Sequence, residues 1–567
     1  MTKRFLILLV LFGFLALRCY PQEIDLNDRL RKIVTQNGQA EVTIPLNSKI
    51  STEFLTRNVS ILSVKNKTIH ISLSPLTIEW FILQKFDYQI IEREESKGVI
   101  SALNMTQAME WDTYPTYPQY VSIMQSFKTL YPTLCHLDTI GTSINGKLVF
   151  ALKISDNAAV KEDEPEVFYS STMHGDETGG FILMLRLADY LLKNYNLDSR
   201  VKNLVDNLEI WINPLANPDG AYRVGNTISD STSTRYNAKG VDLNRNFPDP
   251  LQPGVIQQKE NVDMIKFLRK HKFVISANFH AGAEVVNYPW DRWPRLHADD
   301  DWFYNISRAY ADTVHDHSVV GYMTDEMNGV TNGYAWYQVL GGRQDFMTYS
   351  LQGREVTIEL DGTYVTQAAN LNTLWQSNYR SLLGYLENAM YGIHGHVSNS
   401  ISHEPVSAIV FITDHDKDSS QVISDIKTGS FVRMLAPGIW DLTFSAAGYD
   451  VKIVSNVVVI SGQKTDLTVD LVPRINGVDT TNPEAPFLYP NPATEELKAV
   501  LPQGIIGAVN IKVFNQTGML MLEYNTEALS KTPLLIDIRS LSRGIYSIVF
   551  TNNQTKITYR SRFVVIK

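Results

Sequence analysis

One stretch of this chain, a buried strand that runs through a polar loop into a helix, constrains the fold and the function most. Residues 167–171 are β-branched, aromatic or small and predict a strand. Apolar residues then recur at helical spacing from Phe181 to Leu192. The loop between them carries His174 and Glu177 in the order His-Gly-Asp-Glu. Loops at strand ends in α/β sheets collect catalytic groups, and such a pair can bind one zinc ion.

This pair alone does not establish a metal site. The chain has 12 histidines and 60 acidic residues among 567, so a His followed three residues later by an acid is expected by chance. The alternative is a polar loop that caps the helix after it. Only the other motifs of the chain can separate the two interpretations.

Length and composition limit the class of protein. A chain of 567 residues is too long for one hydrophobic core and predicts three or four domains. A hydrophobic content of 44% with 20% charged residues is typical of an ordered globular protein. The net charge of −9 and the absence of a Lys/Arg-rich run predict that nucleic acid is not a partner.

The amino-terminal residues predict export. A basic start at residues 1–4 and a short apolar run at residues 5–17 indicate a signal peptide over residues 1–22. The run is too short for a bilayer, and no later stretch predicts a transmembrane segment. Lipid attachment at Cys19 is the alternative, although Arg18 before it does not suit that modification. The second cysteine, Cys135, is predicted to be a small buried hydrophobe, so no disulfide is expected.

Hydrophobic patterns divide the mature chain into segments. Residues 23–106 mix short strands with a helix and predict a small α+β domain, with an exposed linker at the charged residues 92–98 near its end. Residues 107–391 then alternate strands with helices and predict an α/β domain. Residues 392–473 predict a β-sandwich, residues 474–486 a polar linker, and residues 487–567 a second all-β domain. The expected fold class is therefore α/β, with a small α+β domain before it and two all-β sandwiches after it.

Four further motifs lie in the α/β domain, and each is rich in the residue types that catalysis uses. In chain order they occupy residues 213–220 (NPLANPDG), 235–247 (RYNAKGVDLNRNF), 276–291 (from SANFH to NYPWD) and 331–345 (TNGYAWYQVLGGRQD), the last one preceding the strand at residues 356–359 (VTIE). The first follows directly on a strand that the pattern predicts, and the third begins within the end of another.

Together these motifs resemble those of the zinc metallocarboxypeptidases, in the regulatory carboxypeptidase N/E-like branch whose catalytic domain precedes a transthyretin-like β-sandwich. The resemblance covers residues 111–472, with the motifs in the order of the family. It implies a mixed-sheet catalytic domain that holds one Zn²⁺ through His174, Glu177 and His280. It also implies that Asp242 orients the first His ligand. The alternative for Asp242 is a solvated turn residue.

The resemblance further implies which residues would act on a peptide. Glu359 matches the general base, and strand alternation predicts that Thr357 and Glu359 share one face. Arg235 matches the arginine that stabilises the oxyanion. The residues that would bind the carboxyl-terminal end of the substrate are Asn244 and Arg245, which match a clamp on the terminal carboxylate, and Tyr337, which matches a mobile tyrosine.

One residue bears on specificity. Asp291 matches the pocket acid with which this branch accepts a carboxyl-terminal Lys or Arg, and the alternative is an Asp that caps the turn after it. Arg343 departs from the family, because many relatives carry Met there, and it could neutralise Asp291. Gln344 beside it fits a polar pocket.

The flanking segments add two expectations. Residues 487–567 resemble the C-terminal sorting domain of type IX secretion in certain Gram-negative bacteria, which implies a secretion machinery as partner and a secreted or cell-surface location. A generic β-sandwich is the alternative. Residues 23–106 lie where many family members carry a pro-segment, so inhibition by this domain is an expectation as well.

The sequence therefore predicts a secreted zinc-dependent carboxypeptidase, a hydrolase that removes the carboxyl-terminal residue of peptides and proteins and prefers Lys or Arg. One alternative is the same scaffold acting on cell-wall peptides or neutral carboxyl termini. Another is a surface binding protein that keeps the fold without catalysis.

Overall fold

The computed structural model describes residues 25–46, 50–92, 101–251, 254–473, 486–501, 507–528 and 533–566. The predicted signal peptide, most of the charged stretch at residues 92–98 and nearly all of the predicted linker at residues 474–486 lie outside the described residues. The chain divides into two compact units, Met1–Pro473 and Arg474–Lys567.

The amino-terminal part of the first unit is a four-stranded antiparallel sheet with helices. Its strands are β1 (Ala40–Pro45), β2 (Ser60–Lys65), β3 (Thr68–Leu73) and β4 (Gln89–Ile91), in the order β2-β3-β1-β4. Its helices span Leu26–Asn37, Thr52–Thr56 and Ile78–Leu83. The first helix was not predicted, since only Leu30 and Val34 are buried on it and charged residues hide that narrow stripe.

An eight-stranded mixed sheet forms the centre of the first unit. Its strands are β5 (Cys135–Thr142), β6 (Leu148–Ile154), β7 (Glu166–Ser171), β8 (Glu209–Asn213), β9 (Phe273–His280), β10 (Ala283–Tyr288), β11 (Val330–Asn332) and β12 (Arg354–Asp361). They lie in the order β11-β10-β12-β9-β7-β8-β6-β5. Strands β5 and β6 form a hairpin that turns at Asn145 and Gly146, a dipeptide that favours such turns, and Gly146 has the positive φ of 82° that this turn needs.

Helices cover both faces of this sheet. They span Tyr117–Leu130, Gly179–Asn194, Ser199–Val205, Lys259–Lys270, Asp300–His315 and Ala368–Glu387, with short helical turns at Met105–Ala108, Pro218–Ala221, Gly333–Trp336 and Arg343–Asp345. Side chains of β7 alternate between two cores, since Val167 and Tyr169 enter one and Phe168 the other. Each fully buried side chain of this kind contributes about 1.5–3 kcal/mol relative to an exposed one.

The four central strands place the candidate residues at one edge of the sheet. Strands β8, β7, β9 and β12 are mutually parallel neighbours, so their carboxyl ends meet. The loop after β7 carries His174 and Glu177, β9 ends at His280, and Glu359 lies in register with His280 on β12. Strand β10 runs antiparallel to β12 and brings Asn287 opposite Thr357.

A β-sandwich completes the first unit. One sheet has the order β16-β13-β19 (Ser430–Arg433, Gly392–Asn399, Lys464–Leu471), and the other has the order β15-β14-β17-β18 (Val422–Ile423, Ile409–Ile412, Gly438–Ser445, Lys452–Val459). Buried ion pairs tie it to the central sheet, because Asp299 accepts hydrogen bonds from Arg354 Nη2 at 2.6 Å and from Arg433 Nη1 at 2.8 Å.

The second unit is all β. Its strands are β20 (Phe487–Tyr489), β21 (Glu496–Val500), β22 (Gly507–Phe514), β23 (Leu520–Ala528), β24 (Leu534–Asp537), β25 (Gly544–Asn552) and β26 (Thr558–Val565). They form two sheets, β20-β21-β24 and β23-β22-β25-β26, around one hydrophobic core. Among the described residues, no helix has the length and apolar character needed to cross a membrane. The predicted fold class is confirmed.

Candidate active site

Three buried side chains converge where β7 and β9 end. Glu177 Oε1 lies 2.9 Å from His174 Nδ1, and Glu177 Oε2 lies 2.6 Å from His280 Nδ1. The two Nδ1 atoms are 3.0 Å apart. Each of the three side chains is at most 3% exposed. Among the groups of metal-binding side chains in the described residues, this is the one with every member buried.

The outer nitrogens of both imidazoles are held in place. His174 Nε2 lies 3.0 Å from Asp242 Oδ1, so a proton on Nε2 leaves Nδ1 free as a ligand. His280 Nε2 lies 2.8 Å from the side-chain amide of Asn278, whose Oδ1 has no hydrogen-bond partner among the described residues. If the oxygen and nitrogen of that amide are exchanged, Asn278 Oδ1 accepts a hydrogen bond from the Nε2–H of His280. His280 then has the same tautomer as His174, with its proton on Nε2 and its Nδ1 free as a ligand.

This donor set fits zinc. Two imidazole nitrogens and one carboxylate form the three-ligand set of catalytic zinc sites, which keeps a fourth position open. Because each donor atom lies about 2 Å from such an ion, donor atoms around it lie roughly 3–3.5 Å from one another. The observed separations of 2.6–3.0 Å need only small movements of the side chains to reach that spacing.

The loop that carries the first two ligands depends on close backbone packing. A Cβ on Gly175 would lie 2.2 Å from the backbone carbon of Gly220, so any other residue would push the loops apart. Asn217 holds the same junction, since its Nδ2 donates to the carbonyl of Met173 at 3.2 Å and its Oδ1 accepts from Gly220 N at 2.9 Å. The motif at residues 213–220 therefore shapes the ligand loop.

Arg235 lies directly against the ligand cluster. Its Nε donates to Asp242 Oδ2 at 2.9 Å, and its Nη1 donates to Glu177 Oε1 at 3.0 Å. Burial opposes ionisation of Asp242, yet Arg235 and His174 hold the pKa of its carboxyl well below the usual value. The guanidinium thus balances the negative charge of the cluster while it lines the same cavity.

Glu359 is buried beside this cluster. It is 8% exposed, it lines the cavity together with Thr357, and its Oε2 has no hydrogen-bond partner among the described residues. Burial and the negative charge of Glu177 raise the pKa of Glu359 well above its usual value, and Arg235 opposes that change. A carboxylate in this setting accepts a proton readily.

The three residues predicted to bind the end of a substrate lie around the same cavity. Arg245, Asn244 and Tyr337 all line it. Arg245 Nη1 donates to the carbonyl of Asn244 at 3.1 Å, whereas its Nε has no partner among the described residues. Asn244 Oδ1 accepts from the backbone N–H of Arg343 at 2.9 Å.

Asp291 also lines the cavity and is 5% exposed. Its Oδ1 accepts hydrogen bonds from Asn287 Nδ2 at 3.0 Å and from Gln344 Nε2 at 2.8 Å. Burial raises the pKa of Asp291 to about 6, and the hydrogen bond from Asn287 and the charge of Arg245 oppose that rise. The carboxylate is therefore oriented by two neutral amides.

The expectation that Arg343 could neutralise Asp291 is wrong. Arg343 Nη2 donates to Glu355 Oε2 at 2.9 Å, and both side chains are fully buried. The guanidinium also lies 5.0 Å from the centre of the Phe168 ring. A buried cation must pair with a buried anion, and Glu355, one residue after Arg354 at the start of β12, fills that role.

Several residues that shape the site were not predicted from the sequence. Asn278 lies two residues before His280, and strand alternation could have placed both on one face. Asn287 belongs to the motif at residues 276–291, but no local pattern links it to Asp291. Ser60 donates to Asp242 Oδ2 at 2.6 Å from 182 positions away, and no local pattern predicts such a contact.

The fold and this cluster define an α/β protein with a zinc-type site at the carboxyl ends of parallel strands. A family model described as zinc carboxypeptidase matches residues 120–381, and a model for a secretion system C-terminal sorting domain matches residues 487–566.

Individual relatives agree with these matches. Carboxypeptidase D from Homo sapiens is 32% identical over 376 residues, which cover 63% of this chain and 26% of that protein. The carboxypeptidase N catalytic chain from Mus musculus is 32% identical over 380 residues, which cover 60% of this chain and 82% of that one. This chain thus spans only about a quarter of the length of carboxypeptidase D.

The crystal structure of carboxypeptidase A from Helicoverpa armigera superposes with a TM-score of 0.48 at 16% identity, over 62% of this chain and 98% of that chain. The sequence matches show that the protein belongs to the zinc carboxypeptidase family, as its motifs predicted. One catalytic Zn²⁺ is the cofactor of this family, and His174, Glu177 and His280 are the described residues suited to hold it.

Proposed function

We propose that the protein is a zinc carboxypeptidase that hydrolyses the last peptide bond of peptides and proteins. The observation that carries this proposal is the convergence of one cluster, His174, Glu177 and His280, with a buried carboxylate, Glu359, in register with His280. The Lewis acidity of a bound zinc ion would polarise the scissile carbonyl and favour attack by water.

The residues of the chain would carry the remaining steps. Glu359 takes the proton of the attacking water and passes it to the leaving amine, a role that its raised pKa and its unpartnered oxygen suit. Arg235 provides positive charge beside the cluster, where negative charge develops on the carbonyl oxygen. An intact set of ligands and base argues against a protein that only binds peptides.

Recognition of the substrate end would depend on Arg245. A planar guanidinium binds a carboxylate through two parallel hydrogen bonds, and the unpartnered Nε of Arg245 is available for one of them. Asn244 supports this clamp, and Tyr337 closes over the bound end. A terminal carboxylate held here would leave the last side chain facing the part of the cavity lined by Asp291.

We further propose a preference for carboxyl-terminal Lys or Arg. Asp291 is oriented by Asn287 and Gln344 through neutral hydrogen bonds, so its negative charge is not cancelled there by Arg343. A cationic side chain would form a charge-assisted hydrogen bond with this carboxylate. Cell-wall peptides and neutral carboxyl termini are the alternative substrates.

The test is an assay on matched peptides that differ only in the last residue: Lys, Arg or Phe. Release of that residue is measured by mass spectrometry with zinc present, after removal of metal by a chelator, and after zinc is restored. We expect one residue to be lost from the Lys and Arg peptides in a zinc-dependent way. Internal cleavage, or turnover that survives metal removal, would contradict the proposal.

We also propose that the protein is exported to the cell surface or the medium, on the basis of the sorting-domain match at residues 487–566. Residues 474–567 form a compact unit of their own, so deletion of residues 487–567 should leave the purified enzyme active. The same deletion should keep the protein inside the native host. Finding the truncated protein outside the cell would refute the sorting role.

A further inference from the structure

The register of two strands gives the active-site cavity a direction. On β12, Thr357 lies opposite Asn287 of β10, and Asn287 Nδ2 donates to Asp291 Oδ1 at 3.0 Å. Glu359 follows two residues later on β12, and a strand rises about 3.3 Å per residue. The pocket proposed for the last side chain of a substrate therefore lies toward the start of β12 from Glu359. A peptide whose last bond lies at Glu359 would place its preceding residue toward the end of that strand.

Small residues and one aromatic ring line the cavity on that other side. At the end of β12, Asp361 lies opposite Ala283, the first residue of β10. The lining residues next to this point in the chain are Ala281, Gly282, Ala283 and Tyr364. Because three of these four residues have no side chain larger than a methyl group, Tyr364 is the large side chain that a substrate would meet there.

The ring of Tyr364 is held between the two loops that carry the metal ligands. Its backbone carbonyl accepts from the N–H of Thr178 at 3.1 Å, and Thr178 directly follows Glu177. A Cβ on Gly282 would lie 2.7 Å from Cε1 of the ring, so the ring packs against the backbone two residues after His280. Gly282 also has a φ of 112°, which other residues rarely adopt. The position of the ring relative to the ligand cluster is therefore fixed by the backbone.

The charged groups near this ring have partners of their own. Asp361 Oδ1 accepts from the N–H of Thr363 at 2.8 Å, and its Oδ2 accepts from Thr366 Oγ1 at 2.7 Å. Lys65 also lines the cavity, but its Nζ lies 3.3 Å from Glu326 Oε1. Because neighbouring groups of the protein hold these charges, the ring and the small side chains decide what this side of the cavity can bind.

We propose that Tyr364 and Gly282 form a subsite for the residue before the last one of a substrate, and that this subsite prefers a large apolar or aromatic side chain. The inference rests on the proposed function, because the direction of the peptide follows from binding of its last residue at Asp291. An aromatic ring packs favourably against apolar side chains and pairs with other rings in stacked or edge-to-face contacts. A glycine at the same position of the peptide gains neither contact.

Peptides that end in Arg and differ only in the residue before it test this in the full-length protein. That residue is Phe, Leu or Gly, and kcat/KM is measured for each peptide with zinc present. We expect kcat/KM for the Phe and Leu peptides to exceed that for the Gly peptide at least roughly tenfold. Equal values for the three peptides would overturn the proposal without the need for a variant.

Variants of Tyr364 assign the preference to the ring. Tyr364→Ala should lower the ratio of kcat/KM for Phe over Gly at least roughly fivefold, whereas Tyr364→Phe, the matched control, keeps the ring and should keep the ratio. The zinc content of each variant reports an intact ligand cluster. Tyr364→Glu covers the case in which the alanine variant does not fold, and it should favour a peptide ending in Lys-Arg over one ending in Phe-Arg. Wild-type ratios in the alanine and glutamate variants would contradict the proposal.

Binding of the same peptides to a Glu359→Gln variant separates this inference from the proposed function. If that variant binds the Phe peptide more tightly than the Gly peptide and the wild type hydrolyses neither, the subsite stands and the proposed activity fails. If the wild type hydrolyses both peptides at one kcat/KM, the activity stands and the subsite fails. Equal affinity of the variant for the two peptides would count against the subsite in either case.

Discussion

Arg343 and Glu355 form a fully buried ion pair, with Nη2 of the arginine 2.9 Å from Oε2 of the glutamate. Ser276 Oγ donates to the same oxygen at 2.7 Å. The arginine backbone adjoins the site, since its N–H donates to Asn244 Oδ1, but its charge is used in the core. The positive charge of Arg343 therefore pairs with Glu355 in the core and does not neutralise the carboxylate of Asp291.

Replacing this arginine should change stability and not specificity. In Arg343→Met, Glu355 remains buried without its partner, which costs about 3–5 kcal/mol of the free energy of unfolding. Chemical denaturation measures that loss, and the preference for Lys and Arg over Phe should stay within about twofold. Arg343→Met/Glu355→Gln should recover part of the stability. A variant of unchanged stability with a stronger preference for basic residues would contradict this account.

Removing the pocket acid, Asp291, should change specificity and not stability. Asp291→Ala loses a charge-assisted hydrogen bond that contributes roughly 1.5–3 kcal/mol, which corresponds to about one to two decades in kcat/KM for Lys and Arg substrates. Asp291→Asn is the matched control, because it removes the charge and keeps the shape. Phe substrates should change far less. An equal fall for all three substrates would show that Asp291 supports the fold and does not select the side chain.

The same carboxyl gives the preference a pH dependence. Since burial raises the pKa of Asp291 to about 6, the group loses its negative charge as the pH falls through that value. The ratio of kcat/KM for Arg to that for Phe should be constant above about pH 7 and should decrease below pH 6. Taking the ratio cancels titrations that affect both substrates. In Asp291→Asn the ratio should be low and flat, and a wild-type ratio that is flat from pH 5 to 8 would remove Asp291 from recognition.

The parts of the fold that local patterns specify were predictable. The strand and helix around residues 167–192 and the hairpin at Gly146 follow from hydrophobic periodicity and turn chemistry. Strand β10 (Ala283–Tyr288) was missed, because the motif residues around it obscure its short apolar pattern. The first helix was missed for a related reason, since Leu30 and Val34 alone carry its buried stripe.

The site was predictable only where a motif carries it. His174, Glu177, His280 and Glu359 were identified from motifs, and the structure brings the first three together with Glu359 in register. The partner of Arg343 and the contact of Ser60 with Asp242 were not predictable, because each depends on how distant segments pack. Which anion pairs with a buried cation depends on the tertiary structure. The local sequence pattern therefore does not identify that partner.

The most direct test of the central claim is a comparison of Glu359→Gln with the wild type, by metal analysis and single-turnover kinetics on one peptide ending in Arg. The amide cannot accept the proton of the attacking water, whereas the three metal ligands are unchanged. We expect one zinc per chain in both proteins and a rate of hydrolysis that is roughly 10²–10⁴-fold lower in the variant. A zinc-loaded variant that hydrolyses the peptide within tenfold of the wild-type rate would contradict the account.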